Sequence, residues 1–98
     1  MKEDHSSLMT RARAQQITRV LADPTRFEIF ERIARCTGEL ACADLRGGLK
    51  ITPATLSHHL KELNDAGLIT ARREAKYMHL QVNRRVWREY VAQLAKLA

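Results

Sequence analysis

Residues 52–61 read Thr-Pro-Ala-Thr-Leu-Ser-His-His-Leu-Lys. Thr52 followed by Pro53 marks a helix start: the hydroxyl can accept a first-turn N–H, and proline has none to leave unpaired. Leu56, Leu60 and Leu63 recur at core spacing on that helix. Its other side then carries Ala54, Thr55, Ser57, His58 and Lys61, with His59 at the edge. These residues are small, hydroxylic or basic, and none is acidic. Such a face suits a polyanion. Small residues let the backbone approach, hydroxyls and imidazoles bond base edges or phosphates, and a lysine meets a phosphate. A second cluster, Arg72-Arg73-Glu74-Ala75-Lys76, sets three cations and one anion at a turn, where they suit phosphates or a minor groove. The candidate DNA-contacting residues are therefore Thr52, Ala54, Thr55, Ser57, His58, His59, Lys61, Arg72, Arg73 and Lys76.

The elements that must position them follow from periodicity and caps. A first helix is expected over residues 7–21, with Leu8, Met9, Ala12, Ile17, Val20 and Leu21 as a ragged apolar face. Asp23-Pro24 caps a second helix carrying Phe27, Phe30, Ile33 and Ala34, which Thr37-Gly38 ends. A short third helix is expected over residues 40–49, weakened by Gly47-Gly48. The fourth runs over 53–66 and stops at Gly67. The period then changes to two. Residues 68–73 and 77–82 read as a hairpin about Glu74-Ala75-Lys76, with Met78, Leu80 and Val82 on one face of the return strand. A last helix over 84–97 carries Val86, Trp87, Tyr90, Val91, Leu94 and Leu97, more apolar surface than one small domain needs. The chain is thus mainly α with a small β-hairpin wing, in the order α-α-α-α-β-β-α. Two short helices joined by a turn and followed by a hairpin describe a winged helix-turn-helix, whose second helix enters the major groove of double-stranded DNA.

The chain has 98 residues, one domain's worth, and a dimer interface would help so small a core. Its net charge of +6 favours a polyanionic partner. No apolar run approaches a membrane span, and the start, Met1 to Ser7, is polar and acidic where a secretory signal would be basic and then apolar. The expected place is the cytoplasm, on the nucleoid, with no membrane partner. Two cysteines are too few for a disulfide framework. The chain has no glycine-rich phosphate loop, and Ser57 beside His58 and His59 lacks a third member for a nucleophilic triad. No enzyme and no cofactor is expected. A winged helix used only for protein contact would carry apolar or acidic residues on the exposed recognition face, and this one offers Ser, Thr, His and Lys.

At this point the residues resemble a family. Leu21-Ala22-Asp23-Pro24-Thr25-Arg26 opens the second helix as the ArsR/SmtB (arsenic-repressor) regulators do. Residues 55–63 resemble that family's recognition helix, and Ala66-Gly67-Leu68-Ile69 with Arg72-Arg73-Glu74 resemble its wing entry. The resemblance covers about residues 15–92. It implies a homodimer held by the first and last helices, 7–21 and 84–97. It also implies repression by operator occupancy and release by an inducer that these residues do not name. Two departures, Lys50 in the turn and Ala75 in place of a common wing glycine, suggest altered local geometry.

The resemblance raises metal sensing. Arsenic-type members begin the third helix Glu-Leu-Cys-Val-Cys-Asp-Leu, with thiolates for soft metals. The stretch here is Glu39-Leu40-Ala41-Cys42-Ala43-Asp44-Leu45, with alanine at both positions. The family's second site uses carboxylates and histidines of the last helix, and residues 83–97 hold no His and only Glu89. His58 and His59 point about 100° apart on a helix, away from a shared metal. No metal site is expected. Cys36 and Cys42 leave an alternative, a thiol or redox switch that moves the third helix. Two reduced cysteines packed as small hydrophobes is the simpler reading.

Overall fold

The computed structural model describes residues 9–98. Leu8, the start of the expected first helix and the polar opening stretch lie outside the described residues; Met9 and Thr10, expected within that helix, instead precede it, because the Thr10 hydroxyl caps its first turn. Helix α1 is Arg11–Leu21, and the Thr10 hydroxyl accepts from the Arg13 N–H at its start. Helix α2 is Pro24–Ala34, capped by Asp23, whose carboxylate accepts from the Arg26 N–H at 2.9 Å. That bond holds the Asp23 carboxyl below its ordinary pKa. Next come β1 (Leu40–Ala41), α3 (Cys42–Arg46), α4 (Pro53–Asp65), the hairpin strands β2 (Ile69–Glu74) and β3 (Tyr77–Val82), and α5 (Arg84–Ala95).

The third helix departs from the sequence expectation at both ends. The third helix does not begin at residue 40, because Leu40 and Ala41 lie extended against Leu80 and His79 of β3. The wing is therefore part of a three-stranded antiparallel sheet in the order β1-β3-β2. A two-residue strand has no period of its own, so only its partner reveals it. The helix also ends at Arg46, as Gly47 and Gly48 leave it.

Ile17, Ile29, Ile33, Leu45, Leu63 and Leu80 are fully buried and draw every helix except α5 onto the sheet. Tyr90 brings α5 into the same core, and its hydroxyl lies 2.8 Å from that of Thr18 on α1. Trp87 stacks at a tilt on Phe30, ring centres 4.8 Å apart. Gly67 ends α4 with φ 80°, the left-handed turn that glycine adopts without strain, and Leu68 N–H then bonds the Leu63 carbonyl. The hairpin register pairs Ala71 with Leu80 and Arg73 with Met78 on the core-facing side, continuing the buried pair Ile69 and Val82. Arg72 with His79 and Glu74 with Tyr77 form the other face. Ala75 takes φ 55° at the tip. Ala75 and Lys76 make a tight two-residue turn, with the alanine in a left-handed conformation that strains it.

Candidate nucleic-acid interface

Helix α4 starts where the sequence places it. The Thr52 hydroxyl accepts the Thr55 N–H at 3.1 Å and donates to the Thr55 hydroxyl at 2.9 Å. Leu56, Leu60 and Leu63 are buried, and Thr52, Ala54, Thr55, Ser57, His58 and Lys61 are exposed together. Lys61 reaches Asp65 one turn on, at 2.7 Å, and that bond holds its pKa above the ordinary value. Both groups are exposed, so the pair is weak and the ammonium can exchange Asp65 for another anion.

His59 is corrected by the structure. It is 7% exposed, turned inward from the α4 edge toward α2. Its Nδ1 accepts from Arg26 Nε at 3.2 Å, which requires a neutral ring. Burial lowers its pKa below the ordinary 6.5. The same guanidinium donates through Nη1 to the Val20 carbonyl near the end of α1, at 3.2 Å. Arg26 thus ties α1, α2 and α4 together. At the far end of α4, Arg13 Nε donates to the Ala66 carbonyl at 3.1 Å and Gln16 Nε2 to the Asp65 carbonyl at 3.5 Å. These carbonyls have no partner within the helix, so α1 satisfies them and sets the tilt of α4. Sequence reading missed Arg13 and Arg26 because their partners lie far along the chain. The only local hint was Arg26 in the helix-opening run.

The wing cations also divide. Arg72 lies on the outer face, where Nε and Nη2 form a two-pronged bond to Glu39 at 2.9 and 2.7 Å, and Nη1 reaches Glu74 at 3.3 Å. Glu39 is held below the ordinary carboxylate pKa by that bond, and Arg72 is raised above its own. Arg72 is therefore not the free partner of Arg73 that the sequence suggested. It braces the wing against the segment before β1. Arg73, one residue on, points to the opposite face, and Lys76 stands at the tip. Cys36 and Cys42 are free thiols, each half-buried.

A pinned helix with a polar exposed face, preceded by a short helix and followed by a hairpin, is a winged helix-turn-helix DNA-binding domain. Comparison with known proteins gives the same class: residues 21–72 match the model of a helix-turn-helix domain family. The chain is 39% identical over 67 residues to an arsenical resistance operon repressor of Staphylococcus xylosus, covering 68% of this chain and 62% of that protein. It is 32% identical over 78 residues to an arsenical resistance operon repressor of Staphylococcus aureus, covering 80% and 73%. A homodimeric winged helix-turn-helix DNA-binding domain from Mycobacterium bovis superposes with a TM-score of 0.69 at 24% identity, over 87% of this chain and 79% of that one. The chain belongs to the ArsR/SmtB family of DNA-binding transcriptional regulators, a family of non-enzymatic proteins.

Proposed function

We propose that the chain is a homodimeric repressor that places two copies of α4 in successive major grooves of an imperfect palindrome, with half-sites about one helical turn apart. The observation that carries this reading is the α4 face: Thr55, Ser57, His58 and Lys61 are exposed together on a helix held at its middle and at its C-terminal end. Ser57 and His58 read base edges, while Thr52, Thr55 and Lys61, with Arg73 and Lys76 of the wing, meet the backbone. Small Ala54 lets the helix approach. His59 and Arg72 act from behind, as positioning residues.

The dimer reading is supported by α5 and the turn after it, where Val91, Leu94 and Leu97 are 43%, 48% and 84% exposed. It is also supported by α1, which packs beside α5, with Gln93 Nε2 donating to the Met9 carbonyl. The homodimeric Mycobacterium bovis domain points the same way, and the repressor relatives support the repressor reading. The residues do not fit a metal at either family position. Ala41 and Ala43 offer methyls beside the one thiol of Cys42, and α5 carries no histidine, its Glu89 lying 3.5 Å from Arg85. Any signal this regulator takes is therefore not a metal held by these residues. Among the described residues, no helix is long and apolar enough to cross a membrane.

The test is binding to the duplex upstream of the protein's own gene, against a scrambled duplex of equal length, across a salt series. Specific binding that weakens steeply with salt is expected. Ser57→Ala and His58→Ala should change sequence preference, whereas Lys61→Ala should weaken all duplexes alike. Equal losses on both duplexes for the Ser57 and His58 variants would refute the division of roles.

A further inference from the structure

The geometry points to a phosphate seat in the cleft between α3 and the wing, built by Arg46, Arg73 and Lys76 and filled by a backbone phosphate of bound DNA. This rests on the DNA-binding reading above and adds a site and a residue, Arg46, that the recognition helix does not supply.

The cleft holds about 380 Å³, room for roughly a dozen waters or for a phosphate with part of its hydration. Its floor is Met78 with Ala41 and Ala43. Strand alternation carries Arg73 onto the core-facing side of the hairpin, one pair beyond Ala71 and Leu80 where the apolar core has ended. Arg46 comes from the last turn of α3, and Lys76 from the hairpin tip. All three line the one cleft, and none lies within ion-pair distance of a described carboxylate. Across the sheet the arrangement is the reverse. Arg72 is held by Glu39 and Glu74, and Glu74 also lies 3.6 Å from His79. Glu39 and Glu74 are thus engaged by Arg72 and His79, and no described carboxylate lines the cleft. Three like charges converging on a concavity repel one another and focus a positive potential there. A tetrahedral oxyanion relieves that repulsion, and guanidinium groups match its oxygens in two-pronged fashion.

Position selects the occupant. Met78 also borders the neighbouring groove lined by Ser57, Lys61, Asn64 and Ala71, which runs against α4. The cleft thus adjoins the recognition face, with Met78 between them. A DNA strand whose bases meet α4 passes its backbone over Met78 into the seat.

The first experiment compares wild-type protein with Arg46→Gln, and with Arg73→Gln as a second variant, on operator and scrambled duplexes over a salt series. Arg46 is exposed and its side chain bonds no described residue, so thermal melting should show Arg46→Gln folded. Affinity for both duplexes is expected to fall about 5- to 20-fold, with the salt slope reduced by about 1. In parallel, inorganic phosphate is titrated at constant ionic strength while side-chain guanidinium NMR signals are followed. Shifts at Arg46 and Arg73 that vanish in Arg46→Gln establish the seat. A seat that binds phosphate while Arg46→Gln keeps wild-type DNA affinity and salt slope overturns the DNA occupant in favour of a free anion. Wild-type DNA binding together with silent guanidinium signals overturns the seat itself. The phosphate titration needs no operator, so loss of operator preference in the wild-type protein would sink the regulator reading and leave the seat to be judged alone.

Discussion

Replacing Arg26 with methionine removes two side-chain bonds to other helices and leaves most of the packing, because methionine keeps an unbranched stem. The bonds lost are those to His59 Nδ1 and to the Val20 carbonyl, each at 3.2 Å. The Asp23 cap survives, since it uses the Arg26 backbone N–H. Hydrogen bonds from a charged donor contribute about 1.5–3 kcal/mol each. These two are long and Arg26 is half-buried, so the lower end applies to both. His59, left buried with an unpaired Nδ1, adds to the loss. The expected loss is about 3 kcal/mol or somewhat more. For a domain of this length each kcal/mol shifts the melting midpoint by about 4–8 °C, so Tm should fall by at least about 12 °C. Arg26→Lys, with one donor group where Arg has a fork, should fall between. Urea unfolding followed by circular dichroism measures the change directly. A midpoint for Arg26→Met that corresponds to less than about 0.5 kcal/mol, at unchanged slope, would refute the idea that Arg26 joins α1, α2 and α4.

His59 gives the same junction a pH dependence. Its folded pKa lies below the ordinary 6.5, so the unfolded chain binds more protons as pH falls. The stability it contributes is complete above about 6.5 and is lost as pH drops from there toward the folded pKa; His59→Gln should flatten urea midpoints measured between pH 5 and 8. Ala75→Gly should raise stability by about 0.5–1 kcal/mol, since relief of the left-handed strain exceeds glycine's extra unfolded freedom, and a lower urea midpoint would contradict it. Leu94→Glu should leave the fold intact and shift sedimentation toward monomer, and operator affinity should fall with it; an unchanged dimer would remove α5 from the interface.

Much of this protein was legible in its sequence because the signals are local. Caps act over three residues and helical stripes over four, so Thr52-Pro53, Asp23-Pro24 and the leucines of α4 located their helices without reference to the rest of the chain. The change to a period of two located the wing, and Gly67 marked where α4 stops. The exposed face of α4 followed from the same arithmetic, with one residue misassigned: His59 sits on the boundary of the stripe, and only a neighbour could decide which way it turns. That neighbour, Arg26, is 33 residues away. Arg72 and Arg73 are adjacent and alike in sequence, yet strand alternation separates them and Glu39, also 33 residues off, claims one alone. Strand β1 exists because β3 offers an edge, and Arg46 gains its setting only when α3 meets the wing. Caps and periods report a residue's backbone, and those were readable. The charge a side chain presents depends on which partners desolvate or neutralise it across the fold, and the tertiary structure alone brings those partners together.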